Sequence, residues 1–269
     1  MTINPTSRVN VLGVGISILN LSAAVEKVFS FFTETPTFGY VTVTGVHGVT
    51  ESLSDRALQK IHNQSFLSTP DGMPTVWIGR LKGNWQMGRV YGPDLMLKIT
   101  AQGLPSNHKH FYFGGNSGVV DELKNCLTKK FPPLNVVGTN TPPFRPLTES
   151  EELELLEQII ETKPHFFWVG LSTPKQEKFM HAFLNKYENT LKEKMPHGML
   201  MLGVGAAFDF HAGKIKQAPQ WMQDNGFEWL FRTLCEPKRL FMRYLKGNTT
   251  FLWNLFLSAT GLKQYPIIK

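Results

Sequence analysis

The sequence predicts an α/β protein: a mainly parallel, Rossmann-like, doubly wound sheet with helices on both faces, followed by a C-terminal helical appendage. Three observations predict it. Short β-branched or apolar runs alternate with longer stretches of helical periodicity, as βαβ units require. Glycine-rich turns follow three of those runs, where a strand hands over to a helix. Beyond about residue 213 the alternation stops and the chain reads as helix alone. The expected division is therefore an α/β body over 1–213 and a basic, aromatic appendage over 214–269.

Taken in order, "VNVLGVGISI" reads as a strand ending in a glycine turn and "LSAAVEKVFSFFTE" as the helix after it. "YVTVTGVHGV" is a second strand running into a loop, and "SDRALQKIHNQ" a second helix with Ser54 as its N-cap. "GPDLMLKITAQG" is a helix entered at Pro93. Next, "KHFYFGGNSGVVDELKNCLTKKF" gives strand, glycine turn and helix, "LNVVGTN" a strand, and "ESEELELLEQIIETK" an acidic amphipathic helix. "PHFFWVGLS" and "GMLMLGVGAAFDF" are strands on either side of the helix "TPKQEKFMHAFLNKY". The tail, "QWMQDNGFEWLFRTLCEPKRLFMRYLKGNTTFLWNLF", interleaves aromatics with cations.

Composition excludes several classes. With 269 residues, 42% hydrophobic and 18% charged, the chain can bury one large or two small cores and is not disordered. Its longest apolar run, "FLWNLFLSATGL", is short of the roughly 20 residues that span a bilayer and is broken by Asn254 and Ser258. One basic residue, Arg8, and several glycines and asparagines near the N-terminus do not read as a secretory signal, so a cytoplasmic location is expected. Cys126 and Cys235 lack metal or disulfide spacing and are expected as reduced core or interface residues. Neither a D-x-D nor a His/Cys cluster is present, so neither metal nor cofactor is expected.

The net charge of +7 is concentrated: residues 214–246 carry seven cations against three carboxylates. That segment's partner is expected to be anionic: a phosphorylated ligand, an acidic membrane or nucleic acid. Arg239, Arg243 and Lys246 share one helical face, with Leu240, Phe241, Tyr244 and Leu245 on the neighbouring face and Trp221, Trp229 and Trp253 flanking. A solvated basic face and a surface for phospholipid or pyrophosphate both fit this pattern.

Candidate site residues cluster after strands. Gly13 and Gly15, Gly114 and Gly115, and Gly203 and Gly205 allow backbone N–H groups to approach a phosphate, although none completes G-x-G-x-x-G. Thr44 and His47 follow the second strand, Gln176 and Glu177 open a helix where they can bridge ribose or base, and Asp209 sits among small residues. Asp71 lies in a Pro-Asp-Gly turn with Phe66, Leu67, Met73, Val76 and Trp77 around it. Such a triplet is a common surface turn, yet the flanks are too apolar for a solvated loop.

In combination, "TPDGMPTVW", "RVYGPDL", "FYFGGNSG", "VGLSTPKQE", "GVGAAFDFHAGKIKQAPQWM" and "GFEWLFRTLCEPKRLFMRYL" resemble the WecG/TagA/CpsF glycosyltransferases, family 26, over about residues 9–253. The resemblance implies an inverting, metal-independent transfer from a UDP-sugar to a polyprenyl-diphosphate-linked saccharide at the inner membrane face. The sugar would be N-acetylmannosamine, its uronic acid or a hexose. By the same resemblance Asp71 matches the proposed general base, Arg89 the arginine of its motif with Asp94 close by, and Gln176 the glutamine of "PKQE". Arg232, Arg239 and Arg243 match the arginines of the membrane appendage, and Gly45 stands where many members have asparagine. An aspartate among apolar walls has raised proton affinity, as a base for an acceptor hydroxyl needs. Two other readings remain at this stage. One is a nucleic-acid-binding protein using the basic tail; the other, disfavoured by the incomplete fingerprints, is a dinucleotide oxidoreductase. A homo-oligomer is left open.

Overall fold

In the computed structural model, which describes residues 6–32 and 35–268, the first apolar run folds back on itself. Leu12 and Gly13, at φ of 51° and 92°, turn β1 (Arg8–Val11) into β2 (Val14–Ser17), and the two form an antiparallel sheet of their own. The expected single strand is therefore a hairpin. A Cβ at Gly13 would fall 2.0 Å from the Gln59 amide nitrogen, so that glycine serves close packing and not a phosphate.

The remaining elements follow the expected alternation. They are α1 (Leu21–Phe29), β3 (Phe38–Thr44), α2 (Val46–Ser54), α3 (Arg56–Gln64), β4 (Leu67–Pro70), α4 (Met73–Leu81) and α5 (Gly92–Gly103). Next come β5 (Lys109–Gly114), α6 (Val119–Lys130), β6 (Asn135–Asn140), α7 (Glu149–Thr162), β7 (Phe166–Gly170), α8 (Lys175–Lys194) and β8 (Met199–Gly203). Four helices end the chain: α9 (Ala207–His211), α10 (Gln220–Asp224), α11 (Glu228–Cys235) and α12 (Pro237–Ala259). Strand order in the six-stranded sheet is β4-β3-β8-β7-β5-β6, with β6, β5, β7 and β8 paired in parallel. The first helix is shorter than expected, and Thr33 and Glu34 lie outside the described residues.

Two local expectations are corrected. The segment after β3 is helix and not loop, which puts His47 in the first turn of α2. Since that helix runs to Ser54, the cap of α3 falls one residue later, on Asp55, whose carboxylate accepts from the Leu58 N–H at 3.0 Å.

The described residues group into two compact units. One comprises 22–41 and 92–216. Its core is aromatic along the parallel strands: Phe111, Phe113, Phe166, Phe167 and Trp168 are all but fully buried, and Phe111 stacks on Phe167 at 5.1 Å. The other comprises 6–21, 42–91 and 217–268, with Val9, Val11, Val14 and Ile16 of the hairpin packed in one cluster with Val49, Val76, Met87 and Phe251.

The second unit differs from the expected appendage. The chain leaves the first unit at Lys216, near the expected boundary, but the segment beyond it forms a common core with the hairpin, α2 and α4. Leu240 and Phe251 of α12 are 1% and 3% exposed. Near the end of the chain, the carbonyls of Tyr265 and Ile268 accept from Asn10 and Asn63 at 2.7 and 2.8 Å. Conversely, Phe241 and Leu245, expected to pack the basic helix down, are 54% and 49% exposed. Cys126 and Cys235 are exposed free thiols, not core residues.

Candidate active site

Asp71 follows β4, and its turn is tied to β3 by its own N–H, which donates to the Thr44 carbonyl at 3.1 Å. Gly72, at φ 99°, then starts α4. Pro70 and Gly72 thus bend the chain sharply at the end of a buried strand, and the carboxylate emerges half-buried with its Oδ1 out of contact with solvent. Beneath it lies a polar network. The Thr44 hydroxyl meets Thr42 Oγ1 at 3.0 Å and His62 Nδ1 at 3.2 Å, and Ser68 donates to it at 3.0 Å. Thr44 is 1% exposed, so its contribution to the site is its carbonyl, which holds Asp71. His47 faces Glu51 at 3.8 Å on its own helix.

In the same unit, Arg89 forms the centre of a charged group. Its guanidinium lies 4.0 Å over the Tyr91 ring, donates to Gln223 Oε1 at 3.1 Å and is ion-paired through Nη2 to Glu228 Oε2. The Tyr91 hydroxyl donates to the other oxygen of Glu228 at 2.8 Å. Burial opposes the charge on Arg89, but the fields of Asp71 and Glu228 and the hydrogen bond it donates to Glu228 raise its pKa overall. Burial first, and then Glu228, also pushes the Tyr91 phenol well up, so it stays a neutral donor. Asp71 acts electrostatically on both residues and on Tyr244 of α12.

The other unit carries the second set of candidates, at the carboxyl ends of β5, β7 and β8. Gln176 lies in the first turn of α8; its side-chain Oε1 accepts the Gly205 N–H at 3.0 Å and its Nε2 donates to Glu177 Oε1 at 3.2 Å. Thr173 donates to the same oxygen at 2.8 Å. Glu177 is fully buried, and burial drives its carboxyl pKa up against those hydrogen bonds. Its Oε2 has no hydrogen-bond partner among the described residues. At the end of β5, Gly114 has φ 132°, and a Cβ there would sit 2.6 Å from the Gly170 carbonyl oxygen. Gly115 donates its N–H to that oxygen at 3.0 Å, and Gly118, in the left-handed region, caps α6. Asp94 is exposed in the first turn of α5, and Asp209 is half-buried in α9. Of the three expected glycine turns, two stand at this sheet edge; Gly13 and Gly15 belong to the separate hairpin.

Among the tail arginines, Arg232 lies in α11 and acts on Tyr244, while Arg239 is paired with Glu236 and Arg243 is exposed on α12. The structure brings Asp71, Arg89 and Arg232 into one electrostatic group, through Tyr91 and Tyr244. Sequence reasoning missed Tyr91, Gln223, Glu228 and Tyr244. Tyr91 and Glu228 stand inside the stretches "RVYGPDL" and "GFEW", but nothing local joins positions 137 apart. Among the described residues no group of three or more His, Cys, Asp or Glu side chains could hold a metal ion, and no helix is long and apolar enough to cross a membrane.

A Rossmann-like α/β sheet with polar side chains and glycine turns at the carboxyl ends of its strands is an architecture of enzymes that act on nucleotide-type ligands. The model described as "Glycosyl transferase WecG/TagA/CpsF family" matches residues 9–265, and the chain belongs to that family of glycosyltransferases. It is similar to the N-acetylglucosaminyldiphosphoundecaprenol N-acetyl-beta-D-mannosaminyltransferase of Staphylococcus aureus (strain NCTC 8325 / PS 47), 24% identical over 96% of both chains. The protein of the same name from Bacillus subtilis (strain 168) is 23% identical over 70% of this chain and 68% of its own.

Proposed function

We propose that this glycosyltransferase moves N-acetylmannosamine from its UDP derivative to N-acetylglucosamine carried on a polyprenyl diphosphate, at the inner face of the cell membrane. The acceptor and sugar are those in the names of its relatives. An acceptor hydroxyl oxygen attacks C1 of the donor and passes its proton to Asp71; the bond from C1 to the phosphate oxygen breaks and its electrons leave with UDP. Attack opposite the leaving group turns an α-linked donor into a β product. Arg89, helix N-termini and backbone N–H groups meet the charge that develops on the diphosphate, which removes the need for a metal. Asp209, half-buried after β8, contacts the nucleotide; Gln176 and Glu177 act from within, the Gln176 side-chain oxygen accepting the Gly205 N–H and so setting the turn after β8.

The observation that carries this reading is that the half-buried Asp71 carboxylate acts electrostatically on the held guanidinium of Arg89. A base beside a fixed cation is what proton removal coupled to loss of an anionic leaving group requires. For the membrane, the support is the tail: Leu234, Met242, Leu252 and Trp253 are 72%, 66%, 65% and 60% exposed on α11 and α12, the helices that carry Arg232, Arg239 and Arg243.

The test is a transfer assay with UDP-N-acetylmannosamine and a polyprenyl-diphosphate N-acetylglucosamine, with and without EDTA, reading the product by mass spectrometry and its anomeric configuration by NMR. A β-linked disaccharide formed equally with EDTA is expected. Failure to use this donor alongside use of another UDP-hexose would overturn the sugar assignment, an α product the inversion, and abolition by EDTA the metal independence.

A further inference from the structure

Arg89 is held by residues of the tail. Its guanidinium is ion-paired to Glu228 and hydrogen-bonded to Gln223 at 3.1 Å, and both partners lie beyond residue 216. Neither side chain is loosely placed: Gln223 donates its own amide to the Ala218 carbonyl at 2.8 Å, which turns its oxygen toward Arg89. Glu228 uses one oxygen on Arg89 and the other on the Tyr91 hydroxyl at 2.8 Å, and Tyr91 in turn lies under the guanidinium at 4.0 Å. The arginine and glutamate side chains are 13% and 15% exposed, so the pair is shielded from solvent and salt. One N–H on each of Nη1 and Nη2 is occupied and the Nε–H is buried, which leaves the second N–H of each Nη for a ligand.

We infer that Glu228 is a positioning residue for the transfer: it fixes the guanidinium of Arg89, through its own contact and through Tyr91, in the orientation that receives the leaving diphosphate. This rests on the role proposed above for Arg89. Asp71 acts on this guanidinium through its field, whereas Glu228 touches it and so sets its orientation, and a planar fork binds a diphosphate only when its plane is set. The second consequence concerns the chain as a whole. Because Glu228 and Gln223 belong to α11 and α10, Arg89 is set only when the tail is folded onto β1, β2 and their neighbours in its unit.

The experiment is a double-mutant cycle on the full chain. Transfer rates and KM for the UDP-sugar are measured for wild type, Glu228→Ala, Arg89→Ala and the double variant, with Glu228→Gln as the isosteric, uncharged control and a thermal melt for each. Displacing a catalytic group by about an ångström costs on the order of 10²-fold, so Glu228→Ala is expected to lower kcat by about that factor with KM changed less than about threefold. In the Arg89→Ala background the same substitution is expected to cost less than about threefold, because the residue it positions is gone. Glu228→Gln, which keeps the hydrogen-bond geometry, should recover part of the rate. If Glu228→Ala unfolds the protein, the Gln variant alone completes the cycle. An equal loss in both backgrounds, or full activity of a folded Glu228→Ala protein, overturns the inference. Full activity of Arg89→Ala overturns instead the role of Arg89 on which it stands.

Discussion

The Asp71 carbonyl leaves no room for a side chain at Gly45: a Cβ there would stand 2.6 Å from that oxygen and 3.5 Å from Asp71 Oδ2. Gly45 has φ −102°, which any residue can adopt, so its constraint is the neighbour and not its own backbone. The space a side chain would need is taken by the turn that bears the proposed base. Gly45→Ala is therefore expected to shift Asp71 by several tenths of an ångström and lower transfer about tenfold or more, with little change in UDP affinity. Equal rates for the two proteins would show that the turn yields freely.

Asp71→Asn keeps the size and the turn but cannot accept a proton. Turnover is expected to fall by about 10² to 10⁴ while UDP affinity, measured by calorimetry, stays within a few-fold. A rate within a few-fold of wild type would remove Asp71 from the role of base.

How much of this was legible depended on whether the deciding contacts were local. The parallel strands β5, β7 and β8, the helix with Gln176 in its first turn, and the Pro-Asp-Gly turn all declare themselves within a dozen residues. The hairpin did not: an apolar run with alternating glycines reads alike as one strand or two, and the reversal rests on Leu12 at φ 51°, which no residue type announces. The partners of the tail were hidden for a related reason. Phe251 looks like the aromatics around it, and only its partners Val9 and Val49, some 200 residues away, decide that it is core. Glu228 offers no local signal either: it is one of three carboxylates in a basic segment, and its partner Arg89 stands in a distant part of the sequence.

Acid should unfold the protein through its buried histidines. Burial, with Arg8 adding to it, lowers His62 to about 4, and burial, with His108 and His165 adding, lowers His110 to about 3. Both are fully buried, and an unfolded histidine titrates near 6.5. Above pH 6.5 neither state holds the extra proton and stability is flat. Below it the unfolded chain binds protons that the native state refuses, so stability falls by about 1.4 kcal/mol per pH unit for each residue until the native values are reached. Between pH 7 and pH 5 the two together remove about 4 kcal/mol. Urea titrations across that range should show the midpoint falling as pH falls, and His62→Gln should flatten the slope by about one proton. A midpoint independent of pH from 7 to 5 would contradict the assignment.

The tail presents two faces with opposite consequences. Inward, Phe251 lies in the apolar cluster at 3% exposure, so Phe251→Ala is expected to cost about 3 to 5 kcal/mol of stability. Outward, Arg239 and Arg243 stand on α12 among exposed apolar side chains, and Arg232 lies on α11 within reach of Tyr244. Each cation near an anionic lipid surface contributes on the order of 1 kcal/mol, so replacing Arg232, Arg239 and Arg243 together should weaken vesicle binding by about two orders of magnitude at low salt. The difference should shrink at high salt, where the charges are screened over a few ångströms while the apolar contribution persists. Co-sedimentation with phosphatidylglycerol vesicles at two salt concentrations reads the first effect, and a thermal melt separates it from unfolding. The activity of the triple variant should drop more on a long-chain lipid acceptor than on a short, water-soluble one, because only the former must be drawn from the bilayer. Should the folded triple variant sediment like wild type and treat both acceptors alike, the outward cations have no part in membrane contact, and the exposed apolar side chains of α11 and α12 alone would have to supply it.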